Sequence, residues 1–508
     1  MLDYNPSRPY LPADQPSPGK TQRVSEQTTK TNWWNGLTSY HWFVFAMASL
    51  AWLFDCLDQQ IFILVRKDAL KHLLPPTMDA SQVGAYSGYA TSIFMIGWAT
   101  GGLIFGSVGD WFGRAKTLTL TVLIYSICTG LSAFSTGWID FAIYRFITGL
   151  GVGGVFGLAV TLVADSLPAR SRTGALGLLQ ALSAVGNISS GLIYLLVTSL
   201  SKADVIASNM SWKVMFLVGA LPAFLCVFLQ MKMKEPEAWV KARKEGKITG
   251  VKFGSYAELF GTPVLRWNAL FGMLLCVAGI IGVWGIGFFA PDLVRDVITN
   301  NLTQQEIAKQ KASIDVSVAD AQPTDAQPAI IELPKDVKAR IADEASTLVA
   351  FNGILQNIGA FFGMMTFTYI AQAIGRRKAF AMAFIAAMIA TVGYFQMFNS
   401  PWHLWMSSVM GFFQMALFAG FAIYLPELFP LRLRSTGTSF CYNVGRYVAA
   451  SGPITLGLLA LSLAAKAKST TEKIDAFRDA CSYMSVIFLI GLIAVYFLPE
   501  TKDKPLPE

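Results

Sequence analysis

Apolar runs of about 20 residues recur from residue 41 to residue 498, each long enough to cross the roughly 30 Å hydrocarbon core of a bilayer as a helix. In that medium the backbone must satisfy its own hydrogen bonds, so only helices or a closed barrel can span it. The runs are continuous rather than alternating, which argues against a barrel. Spans are predicted at about 41–66, 84–109, 115–135, 138–165, 173–199, 211–231, 267–298, 346–373, 377–398, 402–427, 434–464 and 477–498. Composition agrees, since charged residues make up 14% of the chain against roughly 25% in soluble domains. A soluble enzyme, a disordered regulator and a secreted disulfide scaffold are excluded. The expected fold class is an all-α polytopic membrane protein of twelve transmembrane helices.

The polar segments set the organisation. Residues 1–32 are rich in Pro, Ser, Thr and Gln and read as a disordered tail. A first bundle is expected over 33–231 and a second over 266–498, separated by a basic linker at 232–265 that holds Lys232, Lys234, Lys241, Arg243, Lys244, Lys247 and Lys252. Another polar segment, 299–345, is an insert in the second half; its role is left open between a lid, a partner-binding element and a disordered insertion. Residues 499–508 form a short tail. Lys and Arg are retained in the cytoplasm. That rule places the linker, the loops with Arg114 and Lys116, Arg170 and Arg172, Arg376 to Lys378, Arg432 and Arg434, and both termini inside, with the insert outside.

A repeat is visible. Gly113-Arg114-Ala115-Lys116 returns 262 residues later as Gly375-Arg376-Arg377-Lys378, and at the same offset Asp165, Pro168, Arg170 and Arg172 return as Glu427, Pro430, Arg432 and Arg434. Several matches at one offset imply two parallel six-helix halves, pseudo-symmetric about a central cavity near the bilayer midplane. The acids Asp165 and Glu427 each stand seven residues before a base, Arg172 and Arg434. With Asp110, Arg114 and Arg376 nearby, they could latch the cytoplasmic faces of the halves together; the alternative is loop solvation.

Ionisable side chains inside the spans cost at least about 2.5–3.5 kcal/mol each and so mark function. Asp55 and Asp58 share one face of the first span. At 1.5 Å per residue, Asp55 lies roughly 9 Å and Arg145 roughly 10 Å from the same membrane edge, so an Asp–Arg pair is predicted. Protonating the acid would release the arginine, which is the switch a proton-coupled carrier needs. The alternative is a structural ion pair, and the choice between the two acids stays open. Arg446 falls near mid-membrane without an acid on its own helix; its planar fork suits a substrate carboxylate, or else it pairs with Asp55, Asp58 or backbone carbonyls. Gln180, Asn187, Asn352, Gln356, Asn357, Gln414 and Asn443 are amides that could line the cavity, or could join helices.

Other motifs carry less. Gly149-Leu-Gly151-Val-Gly153-Gly154 fits GxGxxG but lies in an apolar run with no preceding strand, so it reads as a close-packing stripe with Gly157. Gly19-Lys20-Thr21 lacks the first glycine of a phosphate loop. The six cysteines form no CxxC pair and the three histidines no cluster, so neither disulfides nor a metal site is expected, and no cofactor or catalytic residue.

These residues resemble the major facilitator superfamily. Gly106-Ser-Val-Gly-Asp110-Trp-Phe-Gly113-Arg114-Ala-Lys116 is similar to the signature between its helices 2 and 3, with Trp111 and Ala115 in place of basic residues, and Arg145-Phe-Ile-Thr-Gly149-Leu-Gly151 resembles its helix-4 signature, whose arginine is linked to proton coupling. The paired acid-and-arginine loops resemble the sugar-porter latch. Asp55-Cys-Leu-Asp58, Glu235-Pro-Glu237-Ala-Trp239 and Tyr442-Asn-Val-Gly-Arg446 resemble its aromatic-acid and sialate–proton symporters, from which Cys56, Leu57 and Val155 depart. The resemblance implies a plasma-membrane carrier (the inner membrane in a Gram-negative cell) that moves a small organic anion, a monocarboxylate, aromatic acid or sugar acid, together with protons. The alternatives are a neutral-sugar symporter or facilitator and a non-transporting sensor. Its partners would be the substrate, protons and the lipid bilayer, with no nucleic acid, and it would act as a monomer.

Overall fold

The computed structural model describes residues 32–507 except 79, 208, 250–251, 320–332 and 450. The polar tail expected over residues 1–32 therefore lies outside the described residues save for its last position, as does the 321–328 part of the insert. Among the described residues, ten helices are long and apolar enough to cross a membrane, and Ser211–Leu221 and Thr455–Ala464 are shorter apolar helices.

The first bundle contains α1 (Ser39–Leu73), α2 (Ala80–Phe112), α3 (Arg114–Ser132), α4 (Trp138–Ser166), α5 (Ala169–Lys202) and α6 (Ser211–Gln230). In the linker, α7 (Glu237–Thr249) and α8 (Tyr256–Leu259) follow. The second bundle has α9 (Pro263–Ile280), a π turn at Ile281–Ile286, a 3-10 turn at Gly287–Phe289, α10 (Ala290–Ala319), α11 (Lys335–Ile374), α12 (Arg376–Met397), α13 (Trp405–Tyr424), α14 (Arg434–Ala449), α15 (Gly452–Ala464), α16 (Thr470–Met484) and α17 (Ile487–Phe497).

Three elements differ from the sequence reading. The linker is part helix, because Trp239 and Val240 give it an apolar side to dock. The span at 434–464 is broken beside Gly452 and Pro453, since proline lacks the N–H that would continue the helix. The insert continues two spans as helices, α10 running to Ala319 and α11 beginning at Lys335, with Arg340 pairing to Glu306 at 2.9 Å.

Small residues set the helix spacing. A Cβ on Gly97 or Gly101 of α2 would stand 2.3 Å from Phe146 O or 1.9 Å from Leu150 O of α4. Their counterparts at the repeat offset, Gly359 and Gly363 of α11, would meet Ser408 O and Phe412 O of α13, both at 1.9 Å. The duplication thus extends to how each half packs its second helix on its fourth. The GxGxxG stripe does what its spacing suggests: Gly149 and Gly153 face α2 backbone, and a Cβ on Gly157 would stand 2.0 Å from Ser439 Oγ of α14, across the junction of the halves.

Candidate functional site

Buried charge concentrates where α1, α3 and α4 meet. Asp55, Asp58 and Arg145 are fully buried. Asp58 accepts from Thr129 Oγ1 at 2.8 Å and lies 4.0 Å from Arg145 Nη1. The guanidinium donates to Ser132 Oγ (2.7 Å) and Thr148 Oγ1 (3.1 Å) and lies over the rings of Phe216 (4.9 Å) and Phe62 (5.5 Å). The expected Asp–Arg pair is present, and its acid is Asp58. At 4.0 Å the pair is loose, and Arg145 rests as much on hydroxyls as on charge. Asp55, one turn away, has the Gln59 amide beside it, and Asp58 and Arg446 are the charges acting on it.

A cavity of about 430 Å³ lies between the halves. Trp52, Gln59, Gln60, Trp98, Gln180, Ser183 and Asn187 line it from the first bundle, and Trp284, Gln356, Asn357, Phe418, Tyr442 and Arg446 from the second. Lys67, Arg66, Asp292 and Arg295 stand at its rim, at the ends of α1 and α10 away from the basic linker. The cavity therefore opens on the face opposite the basic loops.

Arg446 is 1% exposed. Its guanidinium carbon is 3.8 Å from the Trp98 ring and 4.3 Å from the Tyr442 ring, so one aromatic from each half holds the planar group. Nη1 donates to Tyr442 O (2.9 Å) and Asn443 Oδ1 (3.1 Å), while buried Nε has no partner. No acid pairs with it among the described residues. Across the cavity, Asn187 Nδ2 donates to Asn357 Oδ1 at 2.9 Å, joining α5 to α11.

Arg446, Gln180, Asn187, Gln356 and Asn357 reach the cavity as expected. Asn352, Gln414 and Asn443 do not. Asn352 accepts from Tyr394 Oη and Ser407 Oγ, Gln414 donates to Thr391 Oγ1, and Asn443 donates to Ser439 O and Gly153 O. These three tie helices together, the alternative that spacing had left open. The wall of Trp52, Trp98, Trp284 and Tyr442 was missed, because an aromatic in an apolar span carries no signal of facing a cleft.

The basic face is closed. Arg114 Nε is 2.7 Å from Asp165, and its Nη2 is 3.2 Å from Asp110 and donates to Leu431 O of the other half at 2.6 Å. Arg434 pairs with Asp165 across the halves. Asp110 accepts from Ser435 N (3.2 Å), Thr436 N (2.8 Å) and Thr436 Oγ1 (2.8 Å), so a carboxylate from α2 caps the N-terminus of α14. In the second half Arg376 grips Glu427 with two N–H donors and reaches Thr173 Oγ1 of α5 at 3.1 Å. The acid and the base seven residues after it do not pair with each other. Arg172 donates to Ala164 O and Leu167 O instead, and Arg434 crosses to the other half.

Two further carboxylates brace the repeated loops. Glu235 accepts from Ala115 N and Lys116 N, and Glu500 from Arg376 N and Arg377 N, at the N-termini of α3 and α12. Each glutamate approaches a glycine with positive φ, Gly113 (125°) or Gly375 (97°), where any Cβ would strain the backbone and meet the carboxyl.

Two repeated basic loops braced by carboxylates, a central cleft and a duplicated six-helix bundle define a membrane transporter rather than an enzyme. The chain belongs to the major facilitator superfamily: residues 36–249 match the family described as sugar (and other) transporter, and residues 340–508 the family described as Major Facilitator Superfamily. A cis,cis-muconate transport protein of Acinetobacter baylyi is 26% identical over 428 residues, 83% of this chain and 88% of its own length. The sialic acid transporter NanX of Escherichia coli is 24% identical over 411 residues, 80% of this chain and 84% of its own. The proton:xylose symporter XylE of E. coli, solved with 6-bromo-6-deoxy-D-glucose, shares the fold at a TM-score of 0.66 and 18% identity, over 92% of this chain and 98% of that one.

Proposed function

We propose that this transporter carries a small organic anion together with protons by alternating access. The observation that carries the reading is Arg446, a buried guanidinium at the cavity wall that makes no ion pair among the described residues and has an unpartnered Nε. A buried cation without a direct ion pair is costly, and a substrate carboxylate arriving from the open side relieves that cost with charge-assisted hydrogen bonds. The amides Gln180, Asn187, Gln356 and Asn357 then offer donors and acceptors to the rest of the molecule, and the tryptophans offer flat apolar walls. The relatives named for muconate and sialic acid, both carboxylates, agree with an anion.

Proton coupling rests on Asp58 and Arg145, with Asp55 between them and the substrate. Ionised Asp58 attracts Arg145; a proton on Asp58 removes that attraction and leaves Arg145 on Ser132, Thr148 and Cys128 O. Movement of α1 against α4 is then no longer opposed by charge separation in oil. Ionised Asp55 competes with the substrate for Arg446, so its neutralisation favours loading. By the charge rule the basic face is cytoplasmic and both termini lie inside, which makes the state described the one that loads from outside, in the plasma or inner membrane. Closure of the rim and parting of the Asp165–Arg434 contact would complete the cycle.

Proteoliposomes loaded at pH 7.5 and diluted to pH 5.5 test this. Accumulation of a labelled carboxylate such as muconate, abolished by a protonophore that collapses the gradient, together with substrate-dependent acidification of the lumen when no protonophore is present, is the expected result. Uptake of a neutral sugar that equilibrates without moving protons would establish the facilitator reading instead.

A further inference from the structure

The linker carries a charged surface that transport does not use. Exposed Lys232, Lys234, Lys241 and Lys244, with Lys116 beside them, form no ion pair among the described residues. Their position is fixed. Tyr40 Oη bonds both Lys234 N and Lys234 O, Glu235 caps α3 next to Lys116, and Trp239 Nε1 donates to Asp110 O at 2.9 Å. The buried Trp239 ties α7 to the end of α2, and α7 packs against α4 and the turn at Leu431–Leu433, while Lys241 and Lys244 are exposed. Apolar side chains share this rim: Trp111 is 57% exposed, Phe112 49%, Met231 71% and Ile248 86%. Trp111 stands where the superfamily signature has a basic residue, so the charge of that loop is moved onto the neighbouring linker while an aromatic takes the interface position.

We infer that α7 and the helix ends above it form a docking surface for anionic phospholipid headgroups of the leaflet on the basic face. Each element matches that partner. Lysines near a charged leaflet gain about 1 kcal/mol each, roughly a fivefold preference per charge, and the Trp111 ring suits the headgroup boundary. The exposed residues at Met231 and Ile248 reach the acyl edge. The consequence concerns the switch as well as anchoring. Trp239 holds the backbone of Asp110, and Asp110 caps α14 of the other half, so lipid held on α7 stabilises the closed basic face. The inference is independent of which substrate is carried.

The test uses the purified full chain in nanodiscs of phosphatidylcholine alone and with one-third phosphatidylglycerol, followed by thermal unfolding and by mass spectrometry of retained lipid. Phosphatidylglycerol is expected to raise the midpoint and to be enriched around the wild-type protein. The variant K232Q/K234Q/K241Q/K244Q should unfold at the wild-type midpoint in phosphatidylcholine but lose the phosphatidylglycerol increment, with enrichment falling severalfold. Trp111→Ala should keep part of the enrichment. An equal phosphatidylglycerol response in wild type and variant would overturn the inference. So would an equal rise on adding soluble glycerol phosphate, which would assign the lysines to a free phosphate rather than to a membrane.

Discussion

Arg434 of α14 reaches across the midline to Asp165 of α4, the carboxylate that Arg114 of its own half holds at 2.7 Å. One buried acid thus serves an arginine from each bundle, and its partner Asp110 caps the helix that bears Arg434. The repeat does not reproduce this. Glu427 holds Arg376 in the same way, but Gln372 stands where Asp110 stands in the first half, so on that side the halves are joined by Arg376 to the Thr173 hydroxyl and not by an ion pair.

Removing the shared acid should open the basic face. Breaking one partner of a buried ion pair costs about 3–5 kcal/mol, and in Asp165→Asn the share of that loss that belongs to the Arg434 contact falls on the closed state alone. Ser439, buried between the halves against Gly106 and Gly157, supplies the reporter: a cysteine there should react with a soluble maleimide at least tenfold faster in Asp165→Asn than in the parent. Equal rates would show that the network does not hold the halves.

Arg446→Ala should insert and fold normally yet lose uptake of a carboxylate, and Arg446→Lys should not restore it. The guanidinium is stacked between Trp98 and Tyr442, a plane that an ammonium cannot fill. Binding measured by thermal shift should vanish in both variants. Retained binding in Arg446→Ala would remove this residue from the site.

Gln414→Ala should lower stability while leaving substrate affinity within twofold, because its amide bonds Thr391 away from the cavity. Removing one partner of a buried hydrogen bond, which leaves the Thr391 hydroxyl without it, costs about 1–3 kcal/mol. A large loss of affinity at unchanged stability would return Gln414 to the binding site.

Glu500 gives a pH-dependent prediction. Burial alone would raise its pKa, but the N–H groups of Arg376, Lys502, Arg377 and Thr501 outweigh this and hold it below the usual glutamate value. A lowered folded pKa stabilises the protein above the unfolded value of about 4.3, and that contribution is lost as pH falls through the folded value. Glu500→Gln should therefore destabilise at pH 7 by the ordinary worth of a helix cap, about 0.5–2 kcal/mol, and the gap to wild type should close as pH drops below about 4. A gap that is constant with pH would mean that the carboxylate charge does not matter.

The twelve spans and the duplication were legible because hydrocarbon allows few backbone solutions and because charged loops repeat at one offset. Asp58 and Arg145 were legible for the same reason, as charges stranded in apolar runs at matching depth. The cavity wall was not. Trp98 and Phe94 look alike in sequence, yet Trp98 lies on Arg446 while membership of a wall depends on helix rotation. Asn443 failed in the other direction: it sits beside the arginine that lines the cavity, but Gly102 of α2 makes room for it in the seam, where its amide meets Gly153 O. The latch was half legible. Its residues follow from the repeat, whereas the crossing of Arg434 to Asp165 needs the two halves in contact.

The most direct test is uptake and exchange by Asp58→Asn in proteoliposomes. An amide there keeps the shape of a protonated carboxyl and cannot lose its proton. The account predicts that substrate exchange across the membrane continues while accumulation driven by a pH gradient is abolished. Gradient-driven accumulation at the wild-type level in Asp58→Asn would contradict the pairing of Asp58 with Arg145 as the site where the proton acts.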